Sequence, residues 1–178
     1  MARVGLSTAD ISRALSGRCE TRDAFVGVFS LDTLPRRPIE RRPAIVVCNT
    51  AYSQSRGEHW VGFFFSADGG VNYFDSYGLP PTSPHFLDFI HTNSVNGLWS
   101  YNDTQLQSLD SVVCGKYVCL YLYFRVVGYS DTDIKNMFLA GKLVPDVAAS
   151  KLYAKVFGRV KSGKGCVGAL QWSYKYAH

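Results

Sequence analysis

Residues 114–128 read CGKYVCLYLYFRVVG. Only Lys116 and Arg125 carry charge, and the apolar residues follow no single face. A run that is hydrophobic all round and longer than an ordinary strand predicts a helix buried in the middle of a domain. Its most apolar part, Tyr117 to Phe124, is too short to span a bilayer. Such a helix needs other layers around it, and the flanking sequence supplies them.

Downstream, SDTDIKNMFLAGK opens on a capping serine, Ser130, with acids in the first turn, and PDVAASKLYAKVFGRV begins with Pro145. Both patterns predict helices. Upstream, AIVVCNTA is a continuous β-branched run that predicts a buried strand. HWVGFFFS, ADGG and VNYFDSYG read as a hairpin, and AFVGVFSLD and LWSYND read as further strands. LSTADISRALSG predicts a short amphipathic helix, and HFLDFIHTNS a second with Phe86, Phe89 and Ile90 on one face. LPRRPIERRP, with three prolines and four arginines, reads as an exposed loop. The expected class is α+β, with one domain over residues 1–160 and an extension over 161–178.

With 178 residues, 47% hydrophobic and 19% charged, the chain is long enough and apolar enough to bury one core. The net charge of +5 tolerates a polyanion without demonstrating one. The N-terminal MARVGLSTADISRAL lacks a signal-peptide core, so a soluble, non-secreted protein is expected. Five cysteines without close spacing (Cys19, Cys48, Cys114, Cys119, Cys166) argue against a disulfide scaffold. Four scattered histidines and no C-x-x-C pair argue against a metal site.

Chemistry enters at Cys114. It stands at the predicted start of the buried helix, where the helix field of about half a positive charge favours a thiolate. Cys119, five residues further in, is the inert control, and position alone leaves Cys114 open to either fate. Gly115 would let a substrate backbone approach. A nucleophilic thiol needs a base, and the base an orienting partner. His59 begins one hairpin strand and Asp75 ends the other. A three-residue turn at 66–68 places them opposite. A turn over 67–69 or 66–70 makes them diagonal neighbours on one face, and a two-residue turn at 68–69 sets them on opposite faces. Gln107 and Gln105 precede the cysteine closely enough for either amide to serve, with the Cys114 N–H, as an oxyanion donor.

The order His59-Trp60, Asp75 in FDSYG, Gln107, then Cys114-Gly115 resembles the adenovirus-type maturation proteases (adenain) and the wider SUMO- and ubiquitin-like-protein protease clan. AIVVCNTA before EHWVGFFF, and GRCETRDAFVGVFSLDTLP, are similar to adenain segments, as is the Gln-to-Cys spacing. The likeness covers about residues 6–128. It implies a papain-like fold with a mixed sheet against the cysteine-bearing helix. It also implies Cys114 as nucleophile, His59 as base, Asp75 orienting His59, Gln107 in the oxyanion hole, and Trp60 beside the site. The implied function is cleavage of viral precursor proteins at glycine-rich sites during virion maturation, in the host nucleus and the virion. The chemistry would need no cofactor, and DNA and a viral peptide would activate the enzyme. The family's peptide docks through a cysteine, and this chain has none between Cys48 and Cys114, so the likeness does not extend to that disulfide. A monomer is expected. Lys151, Lys155 and Arg159 recur every four residues and form a basic stripe that could face DNA. The tail 161–178 is either a packed extension or a built-in regulatory segment. A modifier-deconjugating protease is the alternative within the clan. A silent DNA- or partner-binding module is the alternative outside it, and the presence of all four site residues argues against that.

Overall fold

A computed structural model describes residues 5–141 and 143–158. Helices α1 (Thr8–Gly17) and α2 (Cys19–Arg22) lead into β1 (Phe25–Ser30), followed by β2 (Ala44–Asn49), β3 (Trp60–Phe65) and β4 (Val71–Phe74). Helix α3 (Pro84–Asn93) precedes β5 (Trp99–Tyr101), and α4 (Cys114–Val126), α5 (Asp131–Leu139) and α6 (Pro145–Phe157) complete the chain. The five strands form one sheet in sequence order. The outer pairs, β1–β2 and β4–β5, are parallel, and the inner pairs are antiparallel. The expected α+β architecture, a mixed sheet packed on a buried helix, is what the chain adopts.

Side-chain alternation explains why the strands are apolar throughout. Ile45, Val47 and Phe64 point to the face covered by α4, with α1 and α6 behind it. Ala44, Val46, Cys48, Val61, Phe63 and Phe65 point the other way, onto Phe86, Phe89 and Ile90 of α3. Both faces are covered, so no polar face is required. Helix α4 is the centre of the larger core: Tyr117, Val118, Leu120 and Leu122 are fully buried. Its two charged side chains are accommodated rather than exposed. Arg125 lies 4.7 Å over the Phe64 ring and pairs with Asp131 at 2.7 Å, while Lys116 donates to Ser150.

Gly62 sets the distance between this helix and the sheet. A Cβ there would lie 3.1 Å from Val118 Cγ1 and 3.3 Å from Leu122, so the bare backbone lets α4 settle directly onto β3. That close approach brings the first turn of α4 level with the start of β3. The hairpin turn is the five-residue form, Ser66 to Gly70, with Phe65 opposite Val71 and Gly62 opposite Phe74.

One expectation changes, and two features were not foreseen. The loop LPRRPIERRP is not wholly exposed: the Arg42 guanidinium donates to the carbonyls of Ser66, Gly70 and Asn93 and clamps the hairpin turn to α3. Helix α2 is too short to show a period in sequence. Cys19 is disulfide-bonded, a cross-link that the cysteine spacing did not predict, whereas Cys48, Cys114 and Cys119 are free. Among the described residues, no helix is long and apolar enough to cross a membrane.

Candidate active site

The turn decides which residues can meet. With Gly62 opposite Phe74, extending the register puts residue 59 opposite residue 77 and leaves residue 75 diagonal to it on the same face. Of the turns allowed by sequence, the 66–70 form is realised, and it joins the two side chains. His59 Nε2 lies 2.8 Å from Asp75 Oδ1. The residue opposite, Tyr77, stacks on the imidazole with ring centroids 4.7 Å apart and planes 25° apart.

Asp75 is 5% exposed, and its partners hold it in place. Its Oδ1 also accepts from the Tyr77 backbone N–H at 2.8 Å. Asn102, just after β5, accepts from the Asp75 N–H and donates to the Asp75 carbonyl, at 2.8 and 2.7 Å. The carboxylate is therefore aimed at the imidazole from both its strand and its neighbour.

Helix α4 brings the thiol from the other side. Cys114 is its first residue, and the residue before it, Val113, offers no side-chain cap. The free N–H groups of the first turn are left for another acceptor. The thiol faces them: hydrogen bonding from His59 and from the backbone N–H groups of Trp60 and Gly115 favours its charged form. Burial alone would raise its pKa, but these hydrogen bonds and the charge on His59 outweigh burial and hold it below the ordinary thiol value. Burial likewise opposes a charge on His59, yet the hydrogen bonds to Asp75 and Cys114 and their negative charges push its pKa up to about 9. Each group is among the causes of the other's shift, so the thiol and the imidazole favour each other's charged form. Cys119 and Cys48 are opposite cases, since burial pushes both thiols far up and leaves them protonated.

Gly115 lies against the N-terminal segment and Trp60. A Cβ at this position would lie 3.0 Å from Leu6 Cβ and 3.2 Å from Trp60 Cδ1. The missing side chain makes room for Trp60 and the N-terminal segment. Trp60 packs there with its indole N–H donating to the Leu6 carbonyl at 2.9 Å.

Gln107 lies beside the pair and is 1% exposed. Its Oε1 accepts from Ser76 Oγ at 2.7 Å, while its Nε2 donates to the Ser111 carbonyl at 2.8 Å and to the Tyr77 hydroxyl at 3.2 Å. Gln105 is exposed and donates to the Gln107 carbonyl, so of the two glutamines only Gln107 lines the cleft with Cys114. That cleft has a volume of about 920 Å³ and runs between the N-terminal segment at Leu6 and the loop from Tyr52 to Glu58. Asp32 secures the loop by accepting from the Ser53 N–H and Oγ, both at 2.7 Å.

Sequence reading missed Ser76, Tyr77 and Asn102. The first two follow the acid in FDSYG, but only the register shows that Tyr77 lies opposite His59. Asn102 carries no local signal, because its partner is 27 residues away. Lys151 and Lys155 are exposed on α6, and Arg159 and the tail 161–178 are outside the described residues. Among the described residues, no group of three His, Cys, Asp or Glu side chains is arranged to hold a metal ion.

No family model matches the chain, and no curated protein matches it. Two solved structures of one protein, the African swine fever virus (ASFV) pS273R protease, are similar to it. One aligns with TM-score 0.56 and 19% identity over 86% of this chain and 67% of that one. The other, a selenomethionine form, aligns with TM-score 0.47 and 22% identity over 67% and 46%. The chain thus spans about half to two thirds of those structures. At that identity the likeness is one of fold: a mixed sheet packed on the cysteine-bearing helix.

Proposed function

We propose that this chain is a cysteine endopeptidase of the adenovirus-type maturation group. The observation that carries the reading is the Cys114–His59–Asp75 cluster, in which His59 is held by Asp75 at 2.8 Å and lines one cleft with Cys114. Cys114 is the nucleophile, His59 the general base and then acid, and Asp75 the group that orients His59. Gln107 and the Cys114 backbone N–H form the oxyanion side.

The thiolate attacks a peptide carbonyl, and the tetrahedral oxyanion is held by hydrogen-bond donors. His59 gives its proton to the leaving amine, and water then cleaves the thioester. No metal or organic cofactor takes part in these steps. Trp60 and Leu6 wall the cleft on the side of Gly115.

The substrates proposed are viral precursor proteins cleaved at glycine-rich sites, in the host nucleus and the virion. A monomer carries the whole cluster. DNA is a proposed activator through Lys151, Lys155 and Arg159, and a viral peptide is a second. Affinity for DNA through that stripe would fall steeply with salt.

The test is cleavage of fluorogenic peptides with glycine before the scissile bond, with and without DNA, beside Cys114→Ala. A ubiquitin-like modifier joined to a fluorophore, run in parallel, separates endopeptidase from deconjugating activity. Turnover of the peptide that vanishes in Cys114→Ala supports the reading. Equal processing by wild type and Cys114→Ala rules it out.

A further inference from the structure

Hydrogen-bond accounting at Gln107 leaves an unassigned donor. A primary amide carries two N–H bonds and one carbonyl oxygen. In Gln107 the oxygen is held by Ser76, one N–H goes to the Ser111 carbonyl and the other to the Tyr77 hydroxyl. Both N–H bonds are committed, in a side chain 1% exposed. The Tyr77 hydroxyl receives one hydrogen bond and still has its own proton to give. Among the described residues, that proton has no acceptor. Tyr77 lines the same cleft as Cys114, His59 and Gln107. Its ring is fixed against His59 and its backbone N–H against Asp75, so the hydroxyl is held in one place.

We propose, on the cysteine protease reading above, that Gln107 acts on the oxyanion through Tyr77, whose hydroxyl makes the direct side-chain contact. The Cys114 backbone N–H is the second donor. When the thiolate sulfur bonds to the carbonyl carbon, the carbonyl π pair moves onto oxygen. That oxygen accepts hydrogen bonds from Tyr77 and from the Cys114 N–H, and no proton is transferred to it. On collapse, the pair returns, the C–N bond breaks, and His59 supplies the proton to the amine. Donation from Gln107 into the phenol oxygen polarises its O–H and strengthens it as a donor. Burial, and then the negative charge of Cys114, raise the Tyr77 pKa, so the phenol keeps its proton at neutral pH.

The experiment compares wild type, Tyr77→Phe, Gln107→Met and the double variant on one glycine-containing peptide. Iodoacetamide alkylation of Cys114 is measured in parallel across pH. Phenylalanine keeps the ring on His59 and removes only the hydroxyl. Tyr77→Phe is expected to lower kcat on the order of a hundredfold, as for the loss of one oxyanion donor. KM should stay within about twofold, and the double variant should be no worse than the worse single, because the two groups act in series. Alkylation forms no oxyanion, so its pH profile should not move in Tyr77→Phe.

Full or increased kcat in Tyr77→Phe overturns the assignment, since Gln107 would then be the direct donor. A loss matched by a shifted alkylation profile also overturns it, because Tyr77 would then act only through His59. If the wild type cleaves no peptide but Cys114 is reactive, the same variants are compared by affinity for a peptide aldehyde, whose hemithioacetal oxygen sits at the same point. A wild type that neither cleaves peptide nor captures aldehyde, with Cys114 titrating as an ordinary thiol, removes the protease reading itself.

Discussion

Helix α4 carries two thiols five residues apart, and they differ in almost every physical respect. Cys119 is wholly buried among apolar side chains, and burial alone keeps it protonated. Cys114 is also buried, at 8% exposure, yet its thiolate is favoured. The difference is not depth. One turn along, the helix N–H groups are used up in the helix ladder, whereas at the first turn they are free to face the sulfur. The start of β3 then adds an imidazole and a further N–H. Burial raises the pKa of a thiol that is alone and strengthens the hydrogen bonds of one that is partnered.

The largest effect that could break this comparison is at the sulfurs themselves. Cys114→Ala should abolish peptide turnover, while Cys119→Ala should keep kcat and lose only on the order of 1 kcal/mol of stability, read from denaturant unfolding. Equal losses of activity would erase the distinction between the two positions.

Next comes the partner. His59→Ala removes the hydrogen bond and the charge that oppose burial, so the Cys114 pKa should rise above the ordinary thiol value of about 8.5 and move toward the behaviour of Cys119. Alkylation at pH 6 should then slow by about a hundredfold or more, because only the thiolate reacts.

Asp75→Asn sharpens the comparison through pH. The imidazolium is raised to about pH 9, partly by Asp75, so kcat/KM should fall as pH rises through about 9 and His59 loses its proton. Asparagine removes the carboxylate charge, so this alkaline limb should move to lower pH, with kcat down by about a hundredfold or more. An unchanged limb would mean that Asp75 does not hold the charge on His59.

The smallest effect is on the placement of the helix. Gly62→Ala puts a methyl group 3.1 Å from Val118 and should cost roughly 1–3 kcal/mol as the helix is displaced. The slope of the alkylation profile should follow, since the first turn of α4 shifts relative to His59. Loss of stability without any change at Cys114 would uncouple the helix seat from the site.

The architecture was legible in sequence wherever a pattern was local and long. The run from Cys114 to Val126 declared a buried helix because, apart from Lys116 and Arg125, it is apolar on every face. The strands declared themselves by β-branched runs, and Ser130 by its cap, which forms with Asp133 as a full capping box. The site was half legible. Cys114 and His59 could be named, but whether His59 met Asp75 depended on a turn that sequence left open among several forms. The packing at Gly115 was not legible, because its neighbour Leu6 is 109 positions away in the chain. Tyr77 and Asn102 were invisible for the same reason: their roles come from strand register and from backbone pairing, not from any motif. Arg42 looked like one more arginine in a solvated run, and only the three carbonyls that converge on it give it a place.

The central claim is that Cys114 and His59 exist as an ion pair in the resting protein. The most direct measurement is the rate of iodoacetamide alkylation at each cysteine from pH 5 to 9, resolved by mass spectrometry, in wild type and His59→Ala. The account predicts that Cys114 reacts well below pH 8.5, that Cys119 and Cys48 stay inert across the range, and that His59→Ala removes the low-pH reactivity of Cys114. A Cys114 that reacts only near pH 8.5, or one whose profile is the same without His59, would contradict it.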